Sequence, residues 1–292
     1  MRIQSILVTG ATGQQGGSTV RELLAHGFKV SALTRNINSP AARELVNKGV
    51  RLIEGDWSNL NSFASSLETI DAVYMVLPPT WNMSVEEDNK EADSGIAFID
   101  LLKQKKVSYV IYSSVMMADK QKSFRLRFKH TIEEYLWKSG LKATILHPAT
   151  FMENFLMPTS GISEGILYNF MPEGRKIPYI STEDIGIFAR IIFQDPEKYI
   201  GKTLELAGDE VDEQEILNAL NTSLGRDLKF VQLHKADLAA QNALFGKLID
   251  MFTNTTFPKI DFEKLRKMNP QLRTFSAWLA QFGKEEFERK IT

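Results

Sequence analysis

The chain has 292 residues, and its 35 Lys and Arg balance 36 Asp and Glu. A net charge of −1 argues against nucleic acid as the main partner, because phosphate neutralisation needs a basic surplus. Cysteine is absent, which excludes disulfides, thiolate nucleophiles and thiolate metal sites and makes a reducing cytoplasm the expected home.

The N-terminus runs directly into a first strand, Ile3–Thr9, with no separate apolar signal segment. Gly10-Ala11-Thr12-Gly13-Gln14-Gln15-Gly16 follows at once, and Ser18–His26 reads as a helix. Strand, glycines three apart and helix form the order that a dinucleotide pyrophosphate requires. Gly10 permits the tight turn, Gly13 lets the backbone approach the phosphates, and Gly16 lets the helix pack close to the sheet. The helix N-terminus then offers free N–H groups and a partial positive charge.

The next elements alternate. Phe28–Thr34 reads as a strand, Pro40–Lys48 as a helix stopped by Gly49, and Val50–Glu54 as a strand. Ser58–Leu67 is predicted helical, Ala72–Leu77 a strand ending at Pro78-Pro79, and Glu87–Gln104 a long helix. Tyr109–Ser114 is the fifth strand, Phe128–Ser139 a helix, and Ala143–Leu146 the sixth strand. Such alternation predicts an α/β fold, a Rossmann-type doubly wound parallel sheet over residues 1–154. Ligands then gather beyond the carboxyl ends of the strands, at loops 10–16, 35–39, 56–57, 77–81, 113–117 and 147–154.

From about residue 155 the alternation breaks down, and a smaller α+β domain over 155–292 is expected, with some strands returning to the main sheet. Ile177–Ile180 is a short strand, and Ser181 or Thr182 caps a helix over Glu183–Phe193. Thr203–Leu206 and Leu228–Leu233 are short strands. Helices are predicted at Glu213–Leu224, Lys235–Thr253, Phe262–Lys267 and Phe275–Gln281. The last of these is amphipathic through Phe275, Trp278, Leu279 and Phe282, and docks on its own domain or on another chain. No stretch approaches the ~20 apolar residues of a membrane span.

One loop residue bears on the cofactor. Nineteen positions past Gly16, where an NAD-selective site places a carboxylate for the ribose 2′-hydroxyl, stands Arg35. A guanidinium grips a 2′-phosphate, so NADP(H) is expected over NAD(H). Asp56-Trp57 occupies the position where a carboxylate meets the adenine amino group and an indole covers a ring face; an ordinary exposed turn is the competing reading. Four scattered histidines without clustered carboxylates offer no metal site.

Residues 8–17, Thr34-Arg35-Asn36, Gly55-Asp56 and His147–Phe155 resemble the NmrA-like branch of the atypical short-chain dehydrogenase/reductases. Tyr179–Gly186 and Pro196–Gly201 fit the same pattern, so the likeness spans nearly the whole chain. It implies a Rossmann domain that binds NADP(H), near the NADP(H)-sensing proteins and the bacterial quinone and triphenylmethane-dye reductases of that branch. The residues assigned to the cofactor are Gly10, Thr12, Gly13, Gln14, Gln15, Gly16, Arg35, Asp56, Trp57, Leu77, Lys129, Thr150, Phe151 and Asn154.

Typical members of the wider superfamily reduce carbonyls with Tyr-x-x-x-Lys. Lys129, with Glu133 four residues later, matches the lysine and is the candidate catalytic group, but the tyrosine position holds Arg125. Arginine stays protonated, so it cannot be that general acid. His130 is a weak alternative proton donor, since neighbouring helix residues point about 100° apart. His147, at the end of the sixth strand, is the better address for a cofactor contact. Ser113 or Ser114 either meets substrate or caps the strand end.

Quinones and conjugated imines accept hydride readily and need little beyond positioning. Trp81, Met116, Met117, Phe151, Met152 and Phe155 either line a pocket for such a flat acceptor or pack the domains. Two functions compete: an NADPH-dependent reductase of a quinone-like or imine-like acceptor, and a non-catalytic NADP(H) sensor read by a protein partner or a second copy. The reductase is favoured, with neither nucleic acid nor membrane as partner.

Overall fold

The computed structural model describes residues 1–78, 85–120, 126–241 and 243–291. In chain order these form β1 (Ser5–Val8), α1 (Gln14–Ala25), β2 (Lys29–Thr34), α2 (Pro40–Asn47), β3 (Arg51–Glu54), β4 (Ala72–Met75), α3 (Val85–Gln104), β5 (Tyr109–Ser113), α4 (Leu126–Ser139) and β6 (Ala143–Pro148). Then come β7 (Thr150–Phe151), β8 (Ile166–Asn169), β9 (Ile177–Ile180), α5 (Thr182–Gln194), β10 (Lys202–Leu206), β11 (Asp209–Val211), α6 (Glu213–Leu224), β12 (Lys229–Gln232), α7 (Lys235–Gln241), α8 (Ala243–Asn254), α9 (Phe262–Met268), α10 (Phe275–Ala280) and α11 (Gly283–Ile291).

Two compact units divide the chain: residues 1–148 with 185–205, and residues 149–184 with 206–292. The first unit is built on a seven-stranded sheet in the order β3-β2-β1-β4-β5-β6-β10. Parallel pairing joins β1 to both β2 and β4, with Ile6 opposite Val30 on one side and Ala72 on the other. The connections therefore reverse direction beside β1, which is the crevice where Rossmann-type sheets take ligands. Its strands are continuous apolar runs because helices cover both faces. Leu7, Val73, Met75, Phe98, Ile99, Val110 and Ile145 pack one face of this sheet, all fully buried.

The segment 58–67, expected as one helix, is instead two 3₁₀ turns, Leu60–Ser62 and Ala64–Thr69. Asp56 Oδ1 accepts from both Ser58 N and Ser58 Oγ at 2.7 Å, a local turn that competes with helix formation. Phe63 then breaks the run, because its ring is drawn into the core against Gly55 and Phe98.

In the second unit, β11-β9-β7 form one small sheet and β12-β8 another. The expected helix 235–253 is two helices, α7 and α8, either side of position 242, which lies outside the described residues. Strands β7, β8 and β11 and helix α11 had no clear signal in the sequence pattern. The amphipathic α10 docks on its own unit: Phe275, Trp278 and Leu279 are at most 1 % exposed, beside Phe287 of α11. Glu153 is held there by Ser181 Oγ, the Thr182 amide and Trp278 Nε1, and Asp184 by Asn269 and Arg273. Burial pushes the Asp184 carboxyl up, against the pull of Arg273. Among the described residues, no helix is long and apolar enough to cross a membrane.

Candidate functional site

The loop between β1 and α1 is shaped by what its glycines lack. Gly10 sits at φ +63°, the left-handed region that favours glycine, and its carbonyl accepts from Gly13 N at 2.9 Å. At Gly16 a side chain would overlap the Gly10 carbonyl oxygen, so only a bare Cα lets α1 begin this close to the strand. Gly13 is the helix N-cap and has no side chain to satisfy the first-turn amides, which stay available to an anion. Thr12, Gly13 and Gln14 are exposed around that opening.

Gln15 turns inward. Its Oε1 accepts from Ser113 Oγ at 2.7 Å and from the Tyr74 hydroxyl at 3.2 Å, tying the loop to the ends of β5 and β4. Burial pushes the Tyr74 phenol up to about 12, so it remains a hydrogen-bond donor at any working pH. Thr9 Oγ1 bonds both the amide and the carbonyl of Val76, each at 2.7 Å, and fixes β1 beside the segment that carries buried Leu77.

Past β2, Arg35 is exposed, and its charge acts on Asp56 past β3. Hydrogen bonds from the Ser58 hydroxyl and amide hold the Asp56 carboxyl below its ordinary value, with a smaller contribution from Arg35. The Trp57 ring meets Phe98 edge-on at 5.0 Å and is partly buried. Arg35, Asp56 and Trp57 thus share the β2–β3 end of the strand edge, and Lys129 stands across β1 on the other half.

On that other half, Lys129 Nζ donates to Glu91 Oε1 at 2.5 Å. Glu133 is buried and accepts from Ser114 Oγ, from His130 Nδ1 at 3.1 Å and from His147 Nε2 at 2.9 Å. The other ring nitrogen of His147 meets Glu205 at 2.8 Å. Burial opposes charge on this imidazole, but the two carboxylates outweigh it and raise its pKa to about 9. Burial likewise opposes ionisation of Glu133, and its hydrogen bonds, His147 first, lower the pKa below the ordinary value.

His147, expected at a cofactor contact, has both ring nitrogens engaged by carboxylates and ties β6 to α4 and β10. His130 is committed to its own helix, with Glu134 at 3.9 Å on its second nitrogen. Glu91, Ser114's bond to Glu133, and Glu205 complete this cluster. Only the match of Glu133 to a motif hinted at it in the sequence.

Arg125 and Trp81 lie outside the described residues. Met116 and Met117 are buried in the first unit, and Met117 takes φ +67°. Thr150, Phe151 and Asn154 belong to the second unit, the first two half-buried and the last exposed. Met152 is fully buried in that unit's core, and Phe155 packs on Phe275 at 5.1 Å, so both fill the core rather than line an acceptor pocket. A solvent-open groove of about 860 Å³ in the second unit, bordered by Lys176, Asp209, Glu215 and Phe275, contains none of the candidate residues.

Comparison with known proteins follows the same lines. The NmrA-like family profile matches residues 3–278. An NmrA-like family domain-containing oxidoreductase, hkm9 of Aspergillus hancockii, is 27 % identical over 78 % of this chain and 75 % of its own length. Among solved structures, triphenylmethane reductase of Citrobacter sp. complexed with NADP(H) superposes with TM-score 0.79 at 16 % identity, over 95 % of this chain and 99 % of that one. The NADPH-dependent quinone oxidoreductase QOR2 of Escherichia coli, complexed with NADPH, gives 0.77 at 22 %, over 94 % and 99 %. NmrA, a negative transcriptional regulator, gives 0.77 at 19 % over 99 % and 98 %, and has been solved with NADP and with NAD.

Proposed function

Because the chain belongs to the NmrA-like family, whose curated relatives include oxidoreductases, we propose that it is an NADPH-dependent reductase of a quinone-like or conjugated-imine acceptor. The observation that carries this reading is the loop 10–16, where α1 starts against the Gly10 carbonyl and its N-cap glycine leaves the first-turn amides without a side-chain cap. That cradle fits a pyrophosphate. Exposed Arg35 fits a 2′-phosphate through charge-assisted hydrogen bonds, with Asp56 and Trp57 on the adenine side and Leu77 beyond β4. Thr150, Phe151 and Asn154 enter on the resemblance of their segment.

The bound cofactor supplies the hydride. Lys129 offers ammonium N–H groups to ribose hydroxyls or to an acceptor oxygen. Gln15 and Ser113 hold the loop to the strand ends, so the cradle is preorganised. With arginine in the tyrosine position, the motif's own phenolic proton donor is missing, which suits acceptors whose reduction is completed by water. The expected setting is the cytoplasm, in keeping with the absence of cysteine.

A second reading, a sensor of NADP(H) occupancy that a protein partner reads, is favoured by Arg125 and by the likeness to the NmrA regulator. One experiment separates them. NADPH-loaded protein is mixed with quinones, triphenylmethane dyes and conjugated imines while reduced-nicotinamide absorbance is followed, with Lys129→Met in parallel. Oxidation that the variant loses by tenfold or more supports the reductase. Tight NADPH binding with no oxidation across the panel transfers the assignment to the sensor.

A further inference from the structure

Lys129 is held from a second helix. Glu91 lies 38 positions earlier, on α3, and meets the ammonium at 2.5 Å. The cause of this meeting is local. Gly95 stands one turn along α3 from Glu91, and a Cβ there would come within 2.8 Å of Ile132 Cδ1. The two helices are therefore close at that turn. Ile132 follows Lys129 by three residues, so Glu91 and Gly95 on one helix oppose Lys129 and Ile132 on the other.

The pair is graded in depth. The Glu91 side chain is 8 % exposed and that of Lys129 is 27 % exposed, so the carboxylate is the buried anchor and the ammonium the outward end. Tyr112 of β5 presents a buried hydroxyl with no hydrogen-bond partner among the described residues. Burial, then the carboxylates of Glu91 and Glu133, push its pKa well above that of an ordinary phenol. Glu91 thus meets the lysine that the family pattern assigns to the site, and its charge also acts on the Tyr112 phenol.

We infer that Glu91 is a positioning residue for Lys129, engaging one ammonium donor and leaving the other two to grip adjacent hydroxyls of the nicotinamide ribose. This rests on the reading of Lys129 given above. A lysine on a flexible four-carbon stem must be ordered before it grips a diol, and Glu91 orders it in advance. A glutamine of the same shape keeps the packing but exchanges the ion pair for a weaker bond from the ammonium to a neutral carbonyl oxygen.

The test combines NADPH titration, read by fluorescence, with NMR detection of the Lys129 ammonium in the cofactor-free protein. The proteins are wild type, Glu91→Gln, Glu91→Asp, Lys129→Met and the Glu91→Gln/Lys129→Met double variant, each checked for an unchanged melting temperature. Glu91→Gln is expected to weaken NADPH binding about tenfold and to speed exchange of the Lys129 ammonium protons. Glu91→Asp recovers part of both, and the double variant binds no more weakly than Lys129→Met alone.

If Glu91→Gln binds NADPH as well as wild type or better while Lys129→Met binds it weakly, Glu91 is a bystander or a competitor and the inference fails alone. Ammonium exchange as slow in Glu91→Gln as in wild type overturns it too. Unchanged affinity in Lys129→Met removes the ribose assignment of the lysine, and the inference falls with it.

Discussion

The two halves of the strand edge solve opposite problems. Beside β1, the loop 10–16 presents bare backbone, and its geometry comes from the missing side chains at Gly10 and Gly16. Across the sheet, the ends of β6 and β10 and the facing turns of α3 and α4 carry paired charges: Glu91 with Lys129, and Glu133 with His130 and His147, which also meets Glu205. A helix N-terminus offers fixed backbone donors without any ionisable group. A site that must hold a mobile lysine needs a counter-charge for it, and each buried charge added then requires its own partner.

The sharpest way to break this contrast is at His147. Replacement by leucine leaves Glu133 and Glu205 without their shared cation, and loss of one partner from a buried ionic cluster costs about 3–5 kcal/mol, read by urea unfolding. A cost below about 1 kcal/mol would show the cluster to be dispensable. The pH dependence follows the same pairing. Its folded pKa is raised from 6.5 to about 9, so the stabilisation from His147 is complete below the unfolded value and disappears as pH rises through about 9. The Glu133 contribution has the opposite sense: present above its ordinary 4.5 and lost as pH falls through its lowered value. Urea unfolding free energies between pH 6 and 10 should therefore decline in wild type and stay flatter in His147→Leu.

Gly16→Ala tests the other half. The added methyl overlaps the Gly10 carbonyl, a strain worth about 1–3 kcal/mol in a tightly packed site, and NADPH binding measured by calorimetry should be lost. Retention of wild-type affinity would mean that the loop relaxes and the cradle is not set by this contact.

Arg35→Asp changes charge at an exposed position, so the melting temperature should hardly move. The ratio of NADPH to NADH affinity should fall by about 10–100-fold, the range for losing charge-assisted hydrogen bonds. A ratio unchanged by the substitution removes the main support for NADP(H) preference. The smallest expected effect is that of Trp57→Ala. Its edge-on contact with Phe98 contributes about 0.5–1.5 kcal/mol to stability. A further loss of NADPH affinity would bring the indole into the adenine pocket, and stability loss alone would leave it as core packing.

Much of the first region was legible in the residue order. Glycine spacing between an apolar run and a helix specifies a local backbone path, and βα alternation specifies a covered parallel sheet, because both depend on neighbours in sequence. The helix expected over 58–67 gives way to 3₁₀ turns because a local side-chain turn at Asp56 and long-range burial of Phe63 override helical periodicity. For His147 the place at a strand end is legible, but the carboxylates that engage its ring come from positions 14 and 58 residues away.

By itself, the sequence determined the fold class, the glycine loop after β1, the positions of Arg35 and Lys129 along the chain, and the arginine at position 125. Each of these is a property of residue type at a local spacing. Only the tertiary structure decided that Gln15 turns inward to Ser113 and Tyr74, that His147 is a clasp, and that Glu91 backs Lys129. Those contacts depend on how closely α3 and α4 approach and on which strands are neighbours, and pairwise charge interactions are felt over a few ångströms of space whatever the distance along the chain.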